Sequence, residues 1–434
     1  MRLHLTIVAL GSLLACQADT VSSPHPAHAL APAAAGPQVA PGADASPEPE
    51  TPMSPTDCAK TDADDAWTEA LLTRALGADS EILNDPAAHR LQVLVGEIDR
   101  STSPGCLTWH PYRLGAEYFY PASAIKPIAA VSALSTFRAR LHSSADLAGV
   151  GLDTEVRVVG AKPSRLKPGE PPPPPPTVRN QVMASLSVSS NPAYNFTVDL
   201  SGYGPMHELM WEAGLKSVRL RHRLSLFGLT ESDQRTTPQI MAKLDAGEVE
   251  LVPRRVASLS VPPHGHPGAG VGKFHRERGS RAPVEGPMDF SAKNAVDLVD
   301  MARLTAWIAE PGLVPELSFP RLEDEDVALL RAAMSHVPDD WPDWMPLRSG
   351  LLEVLPGDDL LYLHKSGMAY GFYLDVGFVQ QRSTGKGFVL AVASYLNPNG
   401  VVNDGTYGYE SLGHPMMRAL GEQLAREMFG GQGQ

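Results

Sequence analysis

The chain has 434 residues, 43% of them hydrophobic, enough for one large domain or two modest ones with a full core. A formal net charge of −13 argues against nucleic acid as a partner, because a polyanion is held by a surplus of Lys and Arg. The remaining composition is that of an ordinary acidic soluble protein.

Arg2 and His4 precede an apolar run, residues 5–15, and small residues lead into Cys16. The run is too short to cross a bilayer as a mature helix and reads as an export signal. Leu13-Leu14-Ala15-Cys16 resembles a bacterial lipobox, which implies a signal peptide over 1–16 and lipidation of Cys16. With Gln17 next, the expected location is the periplasm, anchored to the outer membrane through that lipid. Residues 17–57 are Ala/Pro-rich, unable to bury a core, and read as a disordered tether. Cys58 and Cys106 are then a candidate disulfide in an oxidising compartment. Neither has a second cysteine at zinc-ligand spacing, so no metal and no other cofactor is expected.

The folded domain is expected over 58–434. Trp67, Leu71, Leu72 and Leu76 share a helical face. Residues 91–98 read as a strand that 107–110 pairs with, and a helix is expected over 123–141. Further helices are expected over 178–188, leading into Ser189, and over 205–213. Residues 161–176 end in six prolines and read as a stiff, extended insertion. Thr236-Thr237-Pro238 has the form of a helix start, and Ser291 that of a helix cap. Residues 247–287 read as a second insertion: His264, His266 and His275 lie in a Pro/Gly loop taken as solvated, and Gly268-Ala269-Gly270-Val271-Gly272 as flexible. Four acidic residues open a helix over 323–334, where the helix dipole favours them. The period then changes: 360–364, 371–380 and 388–396 read as strands, the last two joined as a hairpin, before a closing helix over 415–428. Strands at both ends with helices between predict an α+β fold, one antiparallel sheet from the N- and C-terminal strands beside a helical lobe.

Three short elements carry chemistry. In Ser123-Ala124-Ile125-Lys126 a lysine three residues on along a helix shares a face with the serine, and its amine can take the hydroxyl proton if burial lowers its pKa. Ser164-Arg165-Leu166-Lys167 has the same spacing, but Pro163 and Pro168 flank it and no helix can present its side chains together. Ser189-Ser190-Asn191 offers a hydroxyl that could pass a proton to a leaving nitrogen and an amide that could hold a substrate carbonyl. Lys365-Ser366-Gly367, at a strand end, offers a cation and a hydroxyl for a carboxylate, with glycine allowing close approach. The backbone amides of Ser123 and Met368 could form an oxyanion hole.

In this order the three elements resemble the penicillin-recognising serine hydrolases, the class A β-lactamases and DD-peptidases. Val188 through Asn195 resembles the family's V-S-D-N-x-A-x-N, and Arg235-Thr236-Thr237-Pro238 its threonine–proline helix start. The resemblance implies the β-lactamase/transpeptidase fold, with Ser123 as nucleophile and Lys126 as base. It implies Ser189 as proton relay, Asn191 and Ser366 as substrate-binding residues and Lys365 as electrostatic anchor. The substrate would be a β-lactam or a D-Ala-D-Ala peptide of peptidoglycan, bound by a monomer. One departure bears on turnover. Class A enzymes carry a deacylating glutamate in the loop before the threonine–proline element, whereas this loop, 220–228, has no carboxylate before Glu231 and Asp233. Alternatives are a DD-carboxypeptidase or esterase, a slow-turnover penicillin-binding protein, and a non-catalytic lipoprotein that binds cell-wall peptides.

Overall fold

A computed structural model describes residues 66–101, 105–160, 176–339 and 344–430. The signal, Cys16, the tether, Cys58 and most of the proline-rich insertion lie outside the described residues. The first half of the chain runs α1 (Ala66–Leu76), α2 (Glu81–Asn84), β1 (Gln92–Asp99), β2 (Cys106–Tyr112), a 3-10 turn (Ala122–Ile125), α3 (Lys126–Ser143), β3 (Val156–Val158), α4 (Val178–Ser187), α5 (Asn191–Ser201), α6 (Tyr203–Glu212), α7 (Glu231–Arg235), β4 (Thr236–Thr237), β5 (Ile240–Leu244) and β6 (Gly247–Val252). Five two-residue strands follow: β7 (Arg255–Val256), β8 (Gly270–Val271), β9 (Phe274–His275), β10 (Val284–Glu285) and β11 (Met288–Asp289). The chain closes with α8 (Leu298–Ala309), α9 (Asp324–Met334), α10 (Pro346–Leu351), β12 (Leu360–Ala369), β13 (Phe372–Gln381), β14 (Gly387–Tyr395), β15 (Val401–Val402) and α11 (His414–Phe429).

The main sheet has the order β12-β13-β14-β1-β2, every neighbour antiparallel. Both faces are covered, because alternate residues of its strands enter two different cores. Val389, Ala391 and Ala393 pack with Leu374, Val376, α3 and α8. Phe388, Leu390 and Val392 pack with Val93, Val95, α1, α10 and α11. Two-sided burial is why β14 reads as an unbroken apolar run rather than an alternation. The remaining helices make the second lobe, tied to α3 by Arg138, whose guanidinium donates from Nε and Nη2 to both oxygens of the fully buried Asp326 at 2.8 Å. This is the β-lactamase/transpeptidase-like α+β fold expected from the sequence.

Several local expectations are corrected. Thr236-Thr237-Pro238 starts no helix: Thr236–Thr237 is strand β4, and Ile240–Leu244 and Gly247–Val252 form a hairpin that extends β3. Its pattern has period two, with Ile240 and Ala242 fully buried and Lys243 exposed. Ser291 is not a helix cap. Its amide and hydroxyl both bond to the Asp289 carboxylate, Ala295 pairs with Arg219, and α8 begins seven residues on, at Leu298. The Lys365-Ser366-Gly367 triplet lies inside β12 rather than at its end.

The 247–287 insertion is largely exposed, as its composition suggests, but several of its residues are fixed by contacts to the rest of the fold. His264 is buried and stacks on Tyr118 with ring centroids 4.2 Å apart. Arg90 donates to the carbonyls of Tyr118, Gly268 and Gly270 at 2.7–2.9 Å, fastening the insertion to the edge of the sheet. At Gly272, φ is +79° and a Cβ would sit 2.4 Å from Val402, so the glycine there is a close-packing requirement. Phe274 and His275 pair in parallel with Val401 and Val402, which seats the arm on the loop after β14.

Candidate active site

Ala122, at φ +47°, turns the chain sharply into the 3-10 turn that holds Ser123, and Lys126 opens α3 directly after it. Ser123 is partly exposed while Lys126 is fully buried. The lysine Nζ donates to Ser189 O at 2.5 Å, Ser189 Oγ at 3.1 Å and Asn191 Oδ1 at 2.8 Å. A buried ammonium needs such acceptors, since an unpaired charge at that depth would not be tolerated. Ser189 is held in the left-handed region at φ +55°, and Ser190 caps α5, fixing Asn191 at its first turn. Two elements more than sixty residues apart in sequence therefore meet at one amine.

The third element closes from β12. An ideal Cβ on Gly367 would lie 2.5 Å from Pro121 O, 2.9 Å from Ala124 N and 3.1 Å from Ser123 N, all backbone atoms. Only glycine lets the strand lie against the Ser123 turn this closely. Lys365 is buried, and its ammonium donates to Ser366 O at 3.0 Å rather than to a residue of the Ser189 turn. Burial pushes the Lys365 amine down to about 8, with the nearby Asp375 carboxylate opposing. Asp375 is itself buried and accepts from Tyr362 OH at 3.0 Å and pairs with His364 Nδ1 at 3.0 Å. Ser366 and Met368 are partly exposed on the same strand.

The structure adds a residue that the motifs do not contain. Asn191 turns its Nδ2 to Ser225 Oγ at 2.7 Å, and Ser225 sits at φ +55° in the 220–228 loop. The hydrogen-bonded line is thus Lys126–Asn191–Ser225, and a hydroxyl rather than a carboxylate is the loop group that reaches the amine's partner. The loop is rigidly held. Asn195 exchanges hydrogen bonds with the Leu224 backbone at 2.8 and 3.0 Å, and Asn294 accepts from the Arg221 and His222 amides at 2.7 and 3.0 Å. Arg223 pairs with Asp199 at 2.6 Å beneath it. Asn195 was within reach of sequence reading as the last residue of the quoted motif; Ser225 had no signal beyond its place in the loop. His222 cannot replace the absent carboxylate as a base: burial pushes it down to about 3, and its Nδ1 is engaged with Arg223 O.

Cys106 is disulfide-bonded, and the candidate partner Cys58 lies outside the described residues. Among the described residues, no group of three or more His, Cys, Asp or Glu could hold a metal ion, and no helix is long and apolar enough to cross a membrane.

The sheet order, the serine–lysine turn and the facing Lys-Ser-Gly strand are the arrangement that the resemblance to the penicillin-recognising serine hydrolases implies. Residues 113–246, which carry Ser123, Lys126, Ser189 and Asn191, match the family model described as the beta-lactamase enzyme family. Among solved structures, the chain is similar to a β-lactamase from Desulfarculus baarsii DSM 2075, at 16% identity and a TM-score of 0.46 over 85% of this chain and 99% of that one. It is also similar to the TLA-3 extended-spectrum β-lactamase, at 13% identity and 0.47 over 83% and 98%, and to a β-lactamase from Sphaerobacter thermophilus DSM 20745, at 14% and 0.44 over 83% and 97%. The family match covers the segment that carries the first two elements of the site, and these distant likenesses add no argument to it. No curated protein matches the chain.

Proposed function

We propose that the protein is an exported, lipid-anchored serine hydrolase that forms an acyl-enzyme on Ser123 with β-lactams or D-Ala-D-Ala peptides, and that it releases the acyl group slowly. The observation that carries this is the buried Lys126 amine between Ser189 Oγ and Asn191 Oδ1, one helical turn from a partly exposed serine. In its neutral form Lys126 accepts the Ser123 proton as Oγ bonds to the substrate carbonyl carbon. The carbonyl oxygen takes the negative charge facing the amides of Ser123 and Met368. As the C–N bond breaks, the proton passes through Ser189 to the leaving nitrogen, and an ester remains on Ser123. Asn191 holds the acyl amide, while Lys365 and Ser366 hold the substrate carboxylate.

Deacylation needs a water whose proton is taken. With Ser225 at the place where the loop meets Asn191, no carboxylate serves that water, which favours a long-lived adduct and a penicillin-binding role over rapid hydrolysis. Fluorescent penicillin should label the wild type and leave Ser123→Ala unlabelled, and the adduct should persist for minutes. Equal labelling of both proteins refutes the nucleophile, and fast nitrocefin turnover without an adduct refutes the slow step. Anchoring at Cys16 in the periplasm is the companion proposal: radiolabelled palmitate should enter the full chain and not Cys16→Ala.

A further inference from the structure

The tip of the inserted arm reaches the loop beside the serine. Strands β9 and β10 form a hairpin whose tip is fixed on both sides: Arg276 N donates to Val402 O at 2.9 Å, Asn403 Nδ2 to Arg276 O at 2.8 Å, and Ser280 N to Glu277 O at 3.0 Å. From this tip the Arg278 guanidinium lies over the Phe227 ring, its carbon 4.0 Å from the centroid. Phe227 stands two residues after Ser225, whose hydroxyl is bonded to Asn191. Two residues of chain span at most about 7 Å, which puts the cation on the order of 10 Å from the amide proposed to hold the acyl group.

Charge sets this tip apart. The chain carries a net −13, yet 273–285 holds four cations, Lys273, Arg276, Arg278 and Arg281, against two carboxylates, Glu277 and Glu285. Arg138, Arg179 and Arg223 elsewhere all meet carboxylates. Among the described residues Arg278 meets none, and its donors make no hydrogen bond. A cation–π contact uses the charge of a guanidinium and none of its five N–H donors, so these remain for an anion. The loops that flank Asn191 also expose apolar side chains: Val188, 62% exposed, next to Ser189, and Leu226, 42% exposed, between Ser225 and Phe227.

On the acyl-enzyme reading of Ser123, we propose that Arg278 is a specificity-determining residue: it makes the site select acyl groups whose side chain is an apolar stem ending in a carboxylate. The stem lies along Leu226, and the carboxylate takes the fork of N–H donors that the guanidinium offers. Stacking on Phe227 holds that fork in place before substrate arrives, so less side-chain freedom is lost on binding. Arg278 touches the acyl side chain and not the reacting atoms. It decides which acyl group is taken, while bond making and breaking stay with Ser123, Lys126 and Ser189.

The probes are a cephalosporin acylated on its ring amine with glutaric acid and the same compound with the side-chain carboxyl as its methyl ester. They share ring, ring carboxylate and stem, and differ in one charge. Second-order rates of Ser123 acylation in the full chain are read by competition with fluorescent penicillin. The expected result is an acid at least fivefold faster than its ester in the wild type, a ratio below twofold in Arg278→Ala, and a reversed order in Arg278→Glu. Thermal melting confirms that both variants fold. If Arg278 only braced the loop, both rates would fall together and the ratio would keep its wild-type value. A wild-type ratio of one, or an unchanged ratio in the folded variants, overturns the proposal, and fluorescent labelling at Ser123 then leaves the acyl-enzyme reading standing. A wild type that none of the three compounds acylates overturns both.

Discussion

Gly367→Ala offers the most direct measure of how tightly β12 must lie against the turn that holds Ser123, the proposed nucleophile. The added methyl would meet Pro121 O at 2.5 Å, nearly 1 Å inside an ordinary carbon–oxygen contact of about 3.3–3.6 Å, and would also crowd Ala124 N and Ser123 N. None of these atoms belongs to a side chain that can swing away, so strand and turn must separate by several tenths of an ångström. Overpacking of this kind costs about 1–3 kcal/mol. The kinetic effect should be larger in proportion, because the Ser123 amide is a proposed oxyanion donor and displacement of one such donor costs roughly 10²–10³-fold. The assay is the second-order rate of fluorescent-penicillin labelling, with thermal melting on the same samples. A fall of about a hundredfold in rate with a melting temperature only a few degrees lower is expected. Labelling within threefold of wild type at an unchanged melting temperature refutes the packing argument.

Because burial brings the Lys365 amine down to about 8, labelling should decline above pH 8 as the cation that holds the substrate carboxylate is lost, and Lys365→Arg should carry that limb beyond pH 10. The folded value lies below the ordinary 10.5, so below pH 8 the buried charge detracts from stability, and this is relieved as pH rises from 8 to 10.5. Urea unfolding of Lys365→Met at pH 7 should therefore show a protein at least as stable as wild type; a flat labelling profile between pH 7 and 9.5 contradicts the assignment. Arg138→Met should cost about 3–5 kcal/mol in denaturant unfolding by leaving Asp326 charged and buried, and Arg138→Met with Asp326→Leu should recover most of it. Ser225→Glu puts a carboxylate where the loop reaches Asn191, and the penicillin adduct should then decay at least tenfold faster; an unchanged lifetime in a folded variant removes Ser225 from the account of slow release.

Much of the architecture was legible because its causes are local. The apolar runs of β13 and β14, the acidic start of α9 and the face shared by Leu71 and Leu72 each lie within one element, and period or dipole alone identifies them. The errors fell where a partner decides. Thr236 and Thr237 carry helix-start residue types, yet they pair with Arg255 and Val256, and the alternation at 240–244 pairs with the strand at 156–158. The 268–272 glycines look flexible by composition, but Arg90 and Val402, both distant in sequence, hold them in place.

The site divides in the same way. Residue order and spacing determined by themselves that Ser123 and Lys126 share a face, that a hydroxyl–amide pair and a Lys-Ser-Gly triplet follow, and that the 220–228 loop lacks a carboxylate. Only the tertiary structure decided that the Lys126 amine enters the acceptors of Ser189 and Asn191, that Gly367 abuts the Ser123 backbone, and that Ser225 is the loop residue bonded to Asn191. The reason is geometric. Side chains three or four residues apart are fixed by the pitch of a helix, whereas contacts between residues as far apart as Asn191 and Ser225 or Ser123 and Gly367 depend on where whole elements pack.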